Sequence, residues 1–304
     1  MANTYRFRSL SDLHSYYGLP APEHPLISVI DYSKVHYPDN AEDLKWMQDF
    51  YMFALKRDVQ AKFNYGQQPY DFDSGVLSFF APLQLLQVEI KPNIRVQQTG
   101  WLLLLHPDIL WNTPLASTIK TYGFFNYKVN EALFLSEKEE AVVSAIFQNI
   151  VKEYQGNMDK FSHSLIINQL EYLLLYADRF YNRQFLTRRI TNHQILHKLE
   201  SLLEFHFADE TRINKGIPTV RSVADELNIS ANYLSTLLKV LTGQSTQQFI
   251  HDKLIEKAKE KLSGTELSIT EIAYSLGFEH SQSFSKLFKT KTRQTPLEFR
   301  SMYQ

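Results

Sequence analysis

Between residues 25 and 105 the apolar positions form short runs, separated by polar and turn-forming residues. These runs are rich in β-branched and aromatic side chains, which predicts strands. They are LISVIDYSKV, FYMFALKRDV, GVLSFF, LLQVEI and GWLLLL. In FYMFAL both alternating sets of side chains are apolar, so we expect that strand to lie between two packed layers. The pattern predicts a strand-rich sandwich or small barrel in the first part of the chain.

Helical periodicity starts at Ser136. Ser136 and Glu139 have the spacing of a capping box, and apolar residues follow at three- and four-residue steps. A second amphipathic pattern runs from Phe161 to Tyr181. Its apolar face is wide enough to need more than one partner, which leaves open its own strand domain or a second copy. We expect residues 182–192 to connect two domains.

The last third contains an internal repeat with the pattern helix, turn, helix. Val223, Ala224, Leu227 and Ile229 match the residues 49 positions later, and Leu234, Leu238, Lys239 and Phe249 match those 50 positions later. The second turn is therefore one residue longer. A small residue at Ala224 and Ala273 lets the paired helices cross closely, and Gly277 permits a left-handed turn. A long helix over residues 246–262 is expected to hold the two units at a fixed separation.

Composition narrows the classes of protein. The 304 residues include 32 Lys+Arg and 33 Asp+Glu, so no overall charge marks a nucleic-acid or membrane binder. The chain has no cysteine, which excludes disulfides, thiolate zinc sites and a cysteine nucleophile. No secretory pattern opens it, and no aliphatic run approaches the roughly 20 residues of a membrane span. We expect a cytoplasmic protein without a membrane partner.

The end of the repeat carries a family signature. It consists of Gly277, Phe278, Ser283, Phe284, Phe288, Lys289, Pro296 and Arg300. On these residues and the repeat, residues 193–304 resemble the AraC/XylS family of transcription regulators. The resemblance implies an all-α domain whose two helix-turn-helix units place their second helices in the major groove of double-stranded DNA, about one turn apart.

The front of the chain is similar, in arrangement rather than motif, to the cupin-like effector and dimerisation domains of this family. The expected fold is therefore multi-domain: a strand-rich cupin-like domain with trailing helices, followed by the all-α domain. The expected boundaries are 1–135 for a cupin-like, effector-sensing domain, 136–191 for a helical dimerisation region and linker, and 192–304 for the DNA-binding domain.

Carried over by position, the resemblance implies two sets of polar residues that contact bases. The residues are Asn232, Ser235 and Thr236 in the first unit, and Ser281, Gln282, Ser285 and Lys286 in the second. Asn and Gln can pair with adenine, Lys with guanine, and Ser or Thr with either. The first set is short-armed and uncharged, so we expect weaker base recognition there; a plain solvated helix face is the alternative.

Charge in residues 192–304 gives partial support, since 14 Lys+Arg and 13 Asp+Glu leave a net charge of only +1. Between Glu279 and Glu298, however, all four charged residues are basic. The expected phosphate contacts are Lys239, Lys289, Lys291 and Arg293. We expect modest, salt-sensitive affinity for DNA that gains from dimerisation. At His280 the family usually has a small capping residue, which leaves the start of that helix less defined.

Four aromatic residues are candidates for an effector pocket: Tyr51, Phe53, Trp101 and Phe124. The alternative is that they are simply core residues. A metal-binding cupin enzyme would need clustered ligands. The histidines of this part stand singly, at positions 14, 24, 36, 106 and 163. No phosphate loop, G-x-S-x-G elbow or H-E-x-x-H helix occurs, so we expect no catalysis, no metal and no cofactor.

The sequence therefore predicts a DNA-binding transcription regulator that responds to a small-molecule effector. A homodimer formed through the helices of residues 137–181 is expected, with RNA polymerase as a further candidate partner. Two alternatives stay open: a cupin-like enzyme or ligand-binding protein with a helical appendage, and an adaptor whose helical repeat binds protein. Activation is the expected direction of regulation, but nothing in the sequence decides between activation and repression.

Overall fold

A computed structural model describes residues 4–35, 44–57, 75–88, 99–128, 131–156 and 159–303, with the backbone alone at 4, 44, 87–88, 189–191 and 210. The chain divides into two compact units, Met1–Arg188 and Arg189–Gln304. We describe each unit separately.

The first unit is built on strands. They are β1 (Thr4–Phe7), β2 (Ile27–Asp31), β3 (Leu44–Gln48), β4 (Tyr51–Arg57), β5 (Gly75–Phe80), β6 (Leu86–Val88), β7 (Thr99–Leu105) and β8 (Leu133–Leu135). Five of them form an antiparallel sheet in the order β2-β7-β4-β5-β8. In a three-stranded sheet, β1 is parallel and β6 antiparallel to the central β3. The predicted strand-rich front is confirmed, whereas its cupin-like character stays a prediction.

Strand β4 occupies the centre of the larger sheet. All five residues from Tyr51 to Leu55 are buried, which confirms the expected position between two layers. Phe53 lies opposite Phe79 on one neighbouring strand and Leu103 on the other. On the opposite face, Met52 and Ala54 belong to a buried cluster that includes residues of both sheets.

The described residues of the first unit also form four α-helices: α1 (Leu10–Tyr16), α2 (Leu115–Thr118), α3 (Glu137–Gln155) and α4 (Ser162–Thr187). The predicted capping box is present, because the Ser136 hydroxyl accepts from Glu139 N and the Glu139 carboxylate accepts from Ser136 N. Helix α4 is six residues longer than its predicted end at Tyr181. Its last turns are anchored: Arg183 donates to both carboxylate oxygens of Glu139, at 3.0 and 2.6 Å.

The stretch expected to connect the domains is therefore helical on both sides of Arg188. Gln184 is buried and bonds to the backbone around β8, accepting from Phe134 N at 2.8 Å and donating to Ala132 O at 3.1 Å. The first part of the expected connector is thus an integral element of the first unit. The sequence pattern did not show this, because Arg183 and Gln184 find their partners about 50 residues away.

The second unit is all-helical between residues 189 and 303. Its helices are α5 (Arg189–Ala208), α6 (Glu210–Ile213), α7 (Val220–Glu226), α8 (Ala231–Thr242), α9 (Thr246–Gly264), α10 (Ile269–Tyr274), α11 (Ser281–Thr292) and α12 (Pro296–Arg300). The pairs α7–α8 and α10–α11 are the two predicted helix-turn-helix units, and α9 is the predicted connecting helix. Helices α8 and α11 each have 12 residues and begin 50 positions apart.

The repeat extends to the helix ends. Ser245 with Gln248 and Ser268 with Glu271 form capping boxes. Two further boxes follow the same rule, Thr219 with Ser222 and Thr295 with Glu298. Both α8 and α11 end at a residue in the left-handed conformation, Gly243 (φ 74°) and Arg293 (φ 63°). The start of α11 differs, because His280 makes no side-chain capping bond.

The turn between α7 and α8 and the turn between α10 and α11 have equivalent geometry. Asn228 (φ 58°) and Gly277 (φ 86°) occupy the same position, and the next residue of each unit bonds back to an alanine carbonyl at 3.0 and 3.1 Å. Gly277 has an additional constraint. A Cβ at this position would lie 3.0 Å from the carbonyl carbon of Gly216, in the segment between α6 and α7. The turn between α10 and α11 therefore packs directly against the segment that leads into α7.

Candidate nucleic-acid interface

The first turns of α8 and α11 present equivalent residues to solvent. Asn232 and Gln282 are both exposed and lie 50 positions apart, as the helices do. The inward positions are buried: Leu234, Leu237 and Leu238 in α8, and Phe284 and Phe288 in α11. Each helix thus has one packed face and one polar face, with a carboxamide at the same point of both. A carboxamide can donate to and accept from an adenine edge at once.

The hydroxyl groups on these faces are partly engaged. Ser235 and Ser285 are half-buried and donate to the carbonyl oxygens of Ala231 and Ser281, at 2.8 and 3.1 Å. Thr236 donates to Asn232 O at 3.0 Å. While these bonds persist, the hydroxyl oxygens can only accept from a base, which favours the amino groups of adenine and cytosine as partners.

The polar faces of the two helices differ at the position four residues after the carboxamide. In α8 it holds the half-buried Thr236, and in α11 the exposed Lys286. A lysine can donate to guanine O6 and N7, whereas the threonine offers a methyl group and one oxygen. Helix α11 therefore has the longer and more strongly interacting side chain at this position.

The four predicted phosphate contacts fall into two groups. Lys239 and Lys289 are exposed, equivalent residues of α8 and α11, and Arg293 is exposed at the end of α11. Lys291 is half-buried, and its ammonium group lies 2.6 Å from the carboxylate of Asp252 on α9. A phosphate would have to compete with that carboxylate for Lys291.

Asp252 is a site residue that sequence reasoning missed. Its other carboxylate oxygen accepts from Gln244 Nε2 at 3.2 Å, just after α8, so one side chain connects parts of both helix-turn-helix units. Burial, followed by the charge of Lys291, lowers the pKa of the neighbouring His251. The repeat gave no signal for Asp252, because the residue 50 positions later is Met302.

The structure also shows which groups Arg300 contacts. Its guanidinium group donates to Leu262 O at 3.3 Å and to Leu267 O at 2.5 Å, near the end of α9. It therefore holds α12 against the connecting helix. This explains a basic residue in the signature without assigning it to DNA.

Three of the four predicted pocket residues lie in the aromatic core of the first unit. Tyr51, Phe53 and Phe124 are buried, and Trp101 is half-buried. The Phe124 and Phe79 ring centroids are 4.5 Å apart, and those of Phe53 and Phe79 are 5.7 Å apart. This burial matches the alternative that they are core residues, and a role in effector binding stays a prediction.

The histidines of the first unit have separate surroundings. His14 lies within hydrogen-bond distance of Pro20 O and the Ser28 hydroxyl, and His163 of Ile109 O. His36 lies outside the described residues. Within the described part of the chain, no three His, Asp or Glu side chains are grouped to hold a metal ion. Nor does any helix there combine the length and apolar composition of a membrane span.

Residues 223–302 match the family model of the helix-turn-helix domain. The chain carries an AraC-type helix-turn-helix domain at its C-terminus. The predicted AraC-type helix-turn-helix domain is thereby confirmed for residues 223–302. The AraC-type domain begins near α7 and includes both units, the connecting helix and α12.

Two curated relatives are named HTH-type transcriptional activator RhaS. The protein from Enterobacter sp. (strain 638) is 29% identical over 162 residues, which are 53% of this chain and 55% of the relative. The protein from Escherichia coli O1:K1 / APEC is 35% identical over 105 residues, 34% of this chain and 35% of the relative. The chain thus spans about half the length of the first and about a third of the second.

Among solved structures, the AraC-type domain is similar to the C-terminal domain of AraT, a response regulator from Geobacillus stearothermophilus. The sequences are 32% identical, and the match covers 36% of this chain and 84% of that one, with a TM-score of 0.32.

Proposed function

We propose that this protein is a sequence-specific regulator of transcription that binds double-stranded DNA through α8 and α11. The observation that carries this is the equivalence of the two helices. The same carboxamide position, the same partly engaged serine and the same exposed lysine recur 50 residues apart in one domain. Two such helices can occupy successive major grooves.

The residues have distinct roles in this proposal. Asn232 and Gln282 contact adenine edges, and Lys286 contacts guanine. Ser235, Thr236, Ser281 and Ser285 accept from base amino groups or pack against thymine methyl groups. Lys239, Lys289 and Arg293 neutralise phosphates, and Lys291 does so once it separates from Asp252.

The first unit binds a small-molecule effector and a second copy of the chain, which shifts the population between DNA-competent and incompetent arrangements. RNA polymerase is a further proposed partner, and the protein is proposed to act in the cytoplasm.

A salt-series titration tests the proposal. The full chain is titrated against labelled duplexes from the DNA beside its own gene, with a scrambled duplex of equal length as reference. Three neutralised phosphates per protomer, at Lys239, Lys289 and Arg293, would give log K against log salt a slope of about −2.7. We expect that slope and at least one preferred duplex.

A matched pair of variants sharpens the result. Gln282→Ala should reduce the preference for one duplex over the scrambled one. Lys34→Ala, an exposed change in the first unit, should leave both affinities unchanged. Absence of salt-dependent binding to every duplex would contradict DNA binding. Stoichiometric metal in the purified protein would instead support the enzyme alternative.

A further inference from the structure

Lys56 is a half-buried cation without an anionic partner among the described residues. It lies near the end of β4, and its ammonium nitrogen is 5.5 Å from the centre of the Tyr32 ring. Burial lowers the pKa of Lys56 to about 8, and no charged group of the described residues contributes to that shift. The next residue, Arg57, is by contrast paired with Glu140 on α3. Buried charges in folded proteins are ordinarily paired, so Lys56 is an exception that needs an explanation.

Lys56 belongs to the face of the larger sheet that is turned towards the smaller sheet. Met52 and Ala54 lie on the same side of β4, since side chains alternate along a strand. Both are members of the buried cluster that also contains Trp46 and Leu86 of the smaller sheet. Lys56 is therefore on the opposite side of β4 from the two aromatic residues of this strand that were predicted to line a pocket.

Small residues lie beside Lys56 on this face. Gly100 on β7 is paired with Lys56, and a Cβ at Gly100 would overlap the carbonyl oxygen of Leu55, so no side chain can occupy that position. Ala54, two residues before Lys56, is paired with Ser78 on β5. Side chains of this size take up little of the space between the two sheets.

The same face is accessible along β5. Leu77 and Phe79, which point to the other side of the sheet, are buried. Val76, Ser78 and Phe80, on the side of Lys56, are half-buried. Residues between two packed sheets ordinarily form the core. The partial exposure of this row therefore marks an entrance to the space between the sheets.

Trp46 places an unpartnered donor in the same space. Only 6% of this residue is exposed, and no acceptor among the described residues lies within hydrogen-bond distance of its Nε1–H. A buried donor without an acceptor is rare in folded proteins, because its desolvation is not compensated. Trp46 and Tyr32, the ring beside Lys56, belong to one buried cluster. A cation and an unpartnered N–H at one cluster both require an acceptor, and the cation requires a negative one.

We propose that Lys56, Trp46, Ser78 and Phe80 form a binding site for a small organic carboxylate, which we call the Lys56 site. The carboxylate accepts from the Lys56 ammonium group and from the Trp46 N–H. Its apolar part packs against Phe80, which itself contacts the buried cluster. This deepens the effector of the proposed function, on which the site rests for its role in transcription.

Charge is the reason to choose an acid over a neutral effector. A charge-assisted hydrogen bond between an ammonium group and a carboxylate is strong where water does not compete. An uncharged molecule of the same shape would satisfy the Trp46 N–H but leave the charge of Lys56 unpaired. The Lys56 site therefore distinguishes an acid from its amide.

Binding at the Lys56 site is coupled to a proton. The strand partners of Lys56, Val76 and Gly100, do not titrate, and the titratable side chain beside it is Tyr32. At pH 8 about half of the free protein carries a neutral Lys56, whereas the carboxylate pairs with the charged form. Each molecule bound at pH 8 should therefore bring in about half a proton. Apparent affinity should fall about tenfold for each pH unit above 8 and change little between pH 6 and 7.

Titration calorimetry of the full chain without DNA tests the site. The probes are butanoate, hexanoate and benzoate, with hexanamide as the neutral counterpart of hexanoate. We expect at least one acid to bind at a single site with a Kd below about 1 mM, and hexanamide to bind at least about 30-fold more weakly than hexanoate. Measurements at pH 8 in two buffers of different ionisation enthalpy give the number of protons taken up.

Two pairs of variants assign the contacts. Lys56→Met should weaken acid binding at least about 30-fold and abolish proton uptake, whereas Lys34→Met, at an exposed lysine of the same unit, should change neither. Trp46→Phe keeps an aromatic ring but removes the donor, and it should weaken binding roughly 10-fold. Trp101→Phe, at a half-buried tryptophan paired with Leu55 on the other side of the sheet, should not. Circular dichroism checks that each variant is folded.

Three results would overturn the proposal: no binding of any of the acids at about 10 mM, equal binding of hexanamide and hexanoate, or unchanged binding by Lys56→Met. The outcome is separable from that of DNA binding, because calorimetry of the free protein needs no DNA. A chain that binds an acid but no duplex would keep the Lys56 site and lose the regulator. A chain that binds duplexes with a steep salt slope but no acid would do the reverse.

Discussion

The ammonium nitrogen of Lys291 lies 2.6 Å from a carboxylate oxygen of Asp252. The two residues are 39 positions apart and belong to α11 and α9. The contact ties the C-terminal half of α11 to α9, the helix that joins the two helix-turn-helix units. The same contact keeps Lys291, one of the four side chains expected to bind phosphates, next to the carboxylate of Asp252.

Asp252→Asn is expected to increase affinity for DNA. The amide can still accept from Gln244 but no longer pairs with Lys291 as an anion, so Lys291 becomes available to a phosphate. The salt slope should steepen by about one. Glu266→Gln removes the same charge from an exposed loop of the same unit and should leave the slope unchanged. Equal effects of the two changes would mean that net charge alone is responsible.

Lys286→Ala and Lys289→Ala are expected to differ in kind. In the proposed interface Lys286 contacts a base, so its loss should cost about 1–3 kcal/mol of binding free energy and relax preference at one base pair. Lys289 is proposed to contact a phosphate, so its loss should weaken all duplexes alike and reduce the salt slope by about one. Titration of a duplex set with single base changes separates the two. Uniform losses from both would remove the base-contact assignment.

Gly277→Ala is expected to destabilise the second unit more than Gly243→Ala does. Both glycines have positive φ, which costs an alanine about 1–2 kcal/mol. Only Gly277 has backbone atoms of Gly216 and Ile217 within about 3 Å of the new Cβ, whereas nothing lies within 4 Å at Gly243. The backbone displacement should add about 1–3 kcal/mol to the loss. Denaturant unfolding followed by circular dichroism measures both; equal losses would show that the close approach relaxes freely.

Lys56→Met is expected to stabilise the first unit in a pH-dependent way. Burial lowers the pKa of Lys56 to about 8 from 10.5. Below pH 8 both folded and unfolded chains carry the charge, and the folded state bears the full cost of desolvation. Between pH 8 and 10.5 the unfolded chain holds the proton that the folded chain has lost, so this contribution to stability rises with pH.

The stabilisation by Lys56→Met should therefore be largest at pH 7 and shrink towards pH 10. Unfolding titrations at both pH values measure it, with Lys34→Met, an exposed lysine of the same unit, as reference. A gain that is independent of pH would show that lost charge is not its cause.

Local sequence patterns were the basis for most of the predicted elements. The capping box at Ser136 and the left-handed Gly277 occur as predicted, because each depends on residues within one or two turns. Strands β1, β3 and β8 were not predicted. β1 and β8 have only four and three residues, too few for an alternating pattern to stand out, and β3 draws its partners from distant parts of the chain.

The sequence by itself determined the two-part organisation and the double helix-turn-helix. Helical periodicity, capping boxes and the 50-residue repeat can all be recognised from the spacing of residue types along the chain. Tertiary structure alone decided which polar groups meet. Arg183 with Glu139, Lys291 with Asp252, and Arg300 with the end of α9 join residues 33 to 44 positions apart. Such pairs depend on how helices pack in three dimensions, and no local periodicity records that packing.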